Sequence, residues 1–203
     1  MEPTPILAEV DVATDVAEGE MGVNMSQFEV PMGAYTNYRQ CDPRWGSHMI
    51  STKSLCKVGC FITALADALY DHGVTFLLNG QQVTSTPDTF NSWLKSNRGY
   101  SSNSFISSAV NKLCAHSTTP GCKVNFINRL TKTKMTSAQM QNLLRQKTTV
   151  IAHVRKGTHF VRVVGWNRSN PNQLLTVDPG YRVDTYTVGE VEDWRIFDIH
   201  GKV

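Results

Sequence analysis

The sequence predicts an α+β domain, helical in its first part and built on an antiparallel sheet afterwards. Two observations carry this expectation. Apolar residues recur at helical spacing in segments that open near Cys60, Thr86, Ser104 and Thr136. From Thr148 the period changes to β-branched runs separated by the turn formers Lys156-Gly157-Thr158 and Pro179-Gly180.

Residues 1–30 stand apart. They hold seven of the chain's 17 acidic residues and no Lys or Arg, so all 20 basic residues face ten acids in 31–203. Low hydrophobicity with charge of one sign predicts a disordered arm, an attachment segment or a removable pro-region. The remainder is read as one domain, because 203 residues at 40% hydrophobic can bury one substantial core. No run approaches the roughly 20 apolar residues that span a bilayer, and the N-terminus is acidic where a signal peptide is basic. A soluble chain with no membrane span and no signal peptide is expected. The basic body suits anionic surroundings, but its charges are scattered and predict no specific nucleic-acid partner. Arg129, Lys132 and Lys134 form the densest cluster, which a solvated loop would explain equally well.

Taken in order, Cys60-Phe61-Ile62-Thr63-Ala64-Leu65-Ala66 is apolar nearly all the way round, as in a helix buried on most faces. Thr86-Pro87-Asp88 reads as N-cap, first-turn proline and early acid, with Phe90, Trp93 and Leu94 following at helical spacing. A further helix is expected near Ser104, with Phe105, Ile106, Ala109, Val110 and Leu113 on one side. Thr136 and Gln139 form a capping box ahead of Met140, Leu143 and Leu144. Strands are expected at Thr148–Val154, His159–Trp166 and Leu174–Asp178, with further extended segments at Tyr181–Val188 and Trp194–Ile199.

Three residues meet the needs of an activated thiol. Cys60 stands at a helix start, where unpaired backbone N–H groups and the helix dipole favour thiolate. His159 begins a strand and Asp178 ends the next, and neighbouring antiparallel strands place such ends side by side. Histidine can take the thiol proton while the acid holds its tautomer. Each residue also has a plain alternative: Cys60 as a small core residue, His159 as an ordinary strand histidine, Asp178-Pro179-Gly180 as a turn. His153 is a competing base, but it lies in mid-strand. The histidines offer no pair at metal-ligand spacing with cysteine, so neither a zinc site nor a cofactor is expected.

Five cysteines divide by spacing. Cys114 and Cys122 flank a turn-rich stretch that a bridge closes easily, and Cys41 and Cys56 are placed to close a second loop. If both form, Cys60 is left free; in a reducing compartment all five are thiols.

YRQCDPRWG, KVGCFITALADAL, STPDTFNSWL, THFVRVVGW and TVDPG, in that order over about residues 35–180, resemble the C39-like branch of the papain-type cysteine peptidases. The resemblance implies a papain-like fold whose central helix carries the nucleophile. It further implies a cysteine peptidase working through a thioester acyl-enzyme on peptides, cell-wall peptides among them. It assigns Cys60 as nucleophile, His159 as general base, Asp178 as orienting acid and Gln40 as oxyanion-hole donor. A neutral amide suits that last role, since it stabilises an oxyanion without competing for the proton. A Cys41–Cys56 bridge would rigidify the loop beside Gln40; alternatively either thiol could trap Cys60. A non-catalytic module attached through the acidic arm, or an acyl transferase, would use the same scaffold.

Overall fold

The computed structural model describes residues 23–115, 117 and 119–201. Residues 1–22 of the expected arm lie outside these. The helices are α1 (Leu55–Val58), α2 (Cys60–Asp71), α3 (Pro87–Ser96) and α4 (Ser137–Arg145). The strands are β1 (Phe28–Glu29), β2 (Thr75–Leu78), β3 (Gln81–Thr84), β4 (Tyr100–Ser101), β5 (Ser104–Phe105) and β6 (Lys123–Thr131), then β7 (Thr149–Val154), β8 (His159–Asn167), β9 (Gln173–Val177), β10 (Thr185–Thr187) and β11 (Asp193–His200). The result is a mixed α+β protein organised on one large antiparallel sheet in the order β10-β9-β8-β7-β11-β6, with β1 pairing β8 beside β7.

Alternation along the central strands explains how one sheet serves two cores. Ile151, Phe160, Phe197 and Ile199 turn to α2 and α3, where they meet Phe61, Leu65 and Phe90. Val150, Ala152, Val161, Trp194 and Ile196 turn the other way, onto Met140 and Leu144 of α4. Helix α2 is buried from Phe61 to Leu69, as its nearly uniform apolar sequence requires.

Local chemistry fixes the other helix ends. Thr86 and Thr89 cap each other reciprocally at the start of α3, and Thr136 and Gln139 do so at α4. The helix expected near Ser104 is not formed. Ser104 and Phe105 instead pair with Tyr100 and Ser101 in a hairpin, and a 3₁₀ turn follows over Ser107–Lys112. That turn is anchored from outside, because Asn111 Oδ1 accepts the Phe126 N–H at 2.9 Å and takes up a donor of β6.

Arg129 lies in β6, an edge strand, and Lys132 and Lys134 in the 3₁₀ turn after it. Residues 75–84 form a hairpin turned by Asn79-Gly80, both at positive φ (51° and 80°), the conformation an Asn-Gly pair supplies at least cost. Residues 181–184 are loop, leaving only β10 of the extended segment expected there. At the N-terminal side, Phe28 is buried and β1 pairs with Asn167 and Trp166. Gly165 makes room for this: a Cβ there would stand 2.3 Å from the Glu29 carbonyl oxygen. Residues 23–30 are therefore part of the folded body. No helix among the described residues is long and apolar enough to cross a membrane.

Candidate active site

The site forms where the start of α2 meets the end of the sheet at β8. Cys60 is the first residue of α2, immediately after Gly59, which also ends α1. Glycine is required there by close approach, since a Cβ on residue 59 would lie 2.5 Å from the Leu55 carbonyl oxygen and 2.8 Å from its Cδ2. The Gly-Cys pair is thus a tight helix-to-helix junction that presents the thiol at the head of a buried helix. Cys60 is the free cysteine; Cys41 is bonded to Cys56 and Cys114 to Cys122.

His159 opens β8 and is 4% exposed. Its Nε2 meets Asp178 Oδ1 at 2.6 Å, and the ring lines one cleft with Cys60. With Nε2 committed to the carboxylate, Nδ1 is the nitrogen available to the thiol. Burial opposes charge on the ring, but the Asp178 carboxylate, and after it the Cys60 side chain, outweigh it and hold His159 up at about 9.

Asp178 follows β9 and is 3% exposed. Its Oδ1 also accepts the backbone N–H groups of Gly180 and Tyr181 at 2.9 and 2.8 Å. Oδ2 accepts the Tyr186 hydroxyl at 2.8 Å. Burial would raise this carboxyl, but the His159 bond, followed by the Tyr181 N–H, keeps it below the usual carboxylate range.

Gln40 reaches the site through backbone stitching. Its N–H donates to Pro179 O at 2.9 Å, and the preceding Arg39 donates through Nη1 to Asp178 O at 2.5 Å and Tyr181 O at 3.1 Å. The motif after it folds back: buried Trp45 donates to Arg39 O at 2.8 Å, and the Cys56 N–H donates to Gly46 O at 2.9 Å. Gln40 Nε2 donates to Cys56 O at 2.6 Å. That bond fixes the amide's orientation, because the reverse rotamer would set Oε1 against the same carbonyl. The second N–H on Nε2 has no protein partner among the described residues.

Gln40, Cys60 and His159 line one cleft of about 630 Å³, together with Phe160, Gly180 and Tyr181. Gly180 is a second close approach: a Cβ there would stand 2.8 Å from His159 Cε1 and 3.1 Å from Gln40 Oε1. Tyr181 packs edge-on to the His159 ring with centroids 4.9 Å apart, and Arg155 stacks over the Tyr181 ring at 3.9 Å. All four residues singled out in the sequence therefore come together, Asp178 standing behind His159. His153 also lines the cleft, but its Nδ1 is held by Asp193 at 3.1 Å and its ring stacks on Phe160 at 3.9 Å. Burial, then Arg195, pushes it below the ordinary histidine value.

Sequence reasoning did not single out Arg39, Tyr186, Asp193 or Arg195. Arg39 precedes Gln40 and was legible as part of that motif. The others carry no local pattern, because each contributes through register with another strand. Among the described residues no group of three or more His, Cys, Asp or Glu could hold a metal ion. Comparison of the chain with protein-family models gives no match, and none of the curated proteins matches it.

Proposed function

We propose that the chain is a cysteine peptidase of the C39-like, papain-type kind, an amide hydrolase that works through a thioester. The observation that carries the reading is the buried His159 ring, bonded to Asp178 and lining one cleft with the free Cys60 at the head of α2. A structural histidine has no need of a free thiol at the mouth of a cleft.

In the proposed reaction His159 Nδ1 accepts the Cys60 proton and the thiolate Sγ attacks the carbonyl carbon of a bound amide. The developing oxyanion takes the free Nε2–H of Gln40 and the positive end of α2. The C–N bond then breaks, the imidazolium gives its proton to the leaving amine, and a thioester remains on Cys60. Water enters, His159 takes its proton, and the C–S bond breaks to release a carboxylic acid and restore the thiolate. Asp178 stays ionised throughout and keeps the ring's orientation.

Peptide-library digestion with mass-spectrometric readout tests this reading. Wild type is expected to cleave, and Cys60→Ala and His159→Ala to lose cleavage nearly completely, because base and nucleophile act as a unit. Binding of library peptides without cleavage in wild type, unchanged in Cys60→Ala, would replace the enzyme with a binding module.

A further inference from the structure

The basic side chains that line the cleft are Lys57, His153, His159 and Arg195, and no Asp or Glu stands among the lining residues. Arg195 is the unusual member. It is on β11, opposite Ile151 of β7 and Arg129 of β6, and its side chain is 13% exposed. Through Nη1 it donates to Asp193 Oδ1. The same carboxylate already accepts Arg129 Nη2 at 2.9 Å and His153 Nδ1 at 3.1 Å. One negative charge therefore faces two guanidinium groups, and the buried one of the two opens on the cleft. Burial, and then Arg129, lowers the Arg195 guanidinium to about 10, so the charge is present at neutral pH and under-compensated.

The contrast with Arg162 marks Arg195 as more than a structural clamp. Arg162 is the other deeply placed arginine, and it is paired with Asp71 away from the cleft lining. Arg195 has further N–H groups with no protein partner among the described residues, and a planar fork of that kind matches a carboxylate. It sits 5.7 Å from the centroid of Phe160, the residue after His159, and Phe160 meets Phe61, the residue after Cys60, at 4.6 Å. Arg195 thus lines the same cleft as Cys60, His159, Phe61 and Phe160. His153, stacked flat on Phe160, completes the wall.

We infer that Arg195 forms a carboxylate-binding subsite in the cleft and selects peptides with an anionic group next to the bond to be cleaved. The inference rests on the peptidase reading for the substrate's class, but its test needs only binding. The carboxylate is either an Asp or Glu side chain or a free peptide C-terminus, and the probes separate the two.

Calorimetric titration of Cys60→Ala protein uses three acetylated tripeptides: Ala-Glu-Ala amide, Ala-Gln-Ala amide and Ala-Gln-Ala free acid. At least one anionic peptide is expected to bind about tenfold more tightly than the neutral one, the size of a net hydrogen bond to a charged group. Which one does so names the source of the carboxylate. The preference should vanish in Arg195→Gln, persist in part in Arg195→Lys, and shrink as salt is raised. Equal affinity for all three peptides, no binding up to their solubility limit, a preference insensitive to salt, or one retained in a folded Arg195→Gln variant would overturn the subsite. Because no turnover enters these titrations, a clear preference in a protein whose wild type hydrolyses nothing would keep the subsite and remove only the hydrolase.

Discussion

The side-chain amide of Gln40 donates to the carbonyl of Cys56 at 2.6 Å, and Cys56 is disulfide-bonded to Cys41, the residue after Gln40. One crosslink therefore holds both the chain that carries the amide and the carbonyl that aims it. Gln40→Ala is expected to lose about a hundredfold in turnover, the effect of one oxyanion donor worth roughly 3 kcal/mol. Its melting temperature should move by no more than about 4 °C. Replacing both cysteines by serine should cost about 3 kcal/mol of stability for a loop of this length and lower turnover as well. Kinetics and thermal melts on the two variants separate aim from stability; turnover within about threefold of wild type in Gln40→Ala would make Gln40 a loop residue only.

The His159–Asp178 pair makes stability depend on pH in a stated direction. His159 is raised from 6.5 to about 9, so its contribution is complete below pH 6.5 and lost as pH rises through about 9. Asp178 is lowered from 3.8, so its contribution is complete above 3.8 and lost as pH falls through its folded value. The pair supports the fold most between about pH 4 and 6.5. Melts across pH 4 to 10 should show an alkaline decline that shrinks in Asp178→Asn. The same decline in both proteins would mean that another group causes it.

Tyr186 is a positioning residue, acting on the ring through Asp178. Removing its hydroxyl in Tyr186→Phe leaves Asp178 Oδ2 without its donor, at a cost of about 1–3 kcal/mol. Because that bond helps to lower the Asp178 carboxyl, the acid limb of the stability curve should move to higher pH. Turnover should fall through kcat with KM little changed. A variant with reduced stability but an unmoved acid limb would show that the hydroxyl only packs.

Gly59→Ala is expected to destabilise by about 1–3 kcal/mol, since the added Cβ meets the Leu55 backbone and no rotamer relieves it. Denaturant unfolding measures the loss. An unchanged midpoint would show that the α1 to α2 junction opens freely.

Much of this was legible in the sequence where a local pattern and its tertiary use agree. The Thr86-Pro87-Asp88 start and the Thr136/Gln139 capping box located two helix starts, and β-branched runs located β7, β8 and β9. Where partners decide, the pattern misled. Phe105, Ile106, Ala109 and Val110 have helical spacing, yet Phe105 pairs with Tyr100 in a hairpin, Ile106 is extended, and Ala109 and Val110 sit in a 3₁₀ turn. Strand β6 was hidden because its second half lies on an exposed edge, where Ile127 is exposed and Arg129 reaches across to Asp193. Cys60, His159 and Asp178 were legible because element ends and a turn mark them, and Gln40 through the resemblance of the motif that carries it. Arg195 and Asp193 were not, since their importance lies in what β7 and β6 place opposite them.

The central claim is that His159 activates Cys60 as a nucleophile, and intact mass after treatment with an epoxide thiol inhibitor tests it most directly. Without reductant, wild type is expected to gain one adduct, located at Cys60. The adduct should be absent in Cys60→Ala and form far more slowly in His159→Ala, whose thiol lacks the base that would take its proton. Labelling at the same rate in wild type and His159→Ala, or no adduct at Cys60 in wild type, would contradict the account.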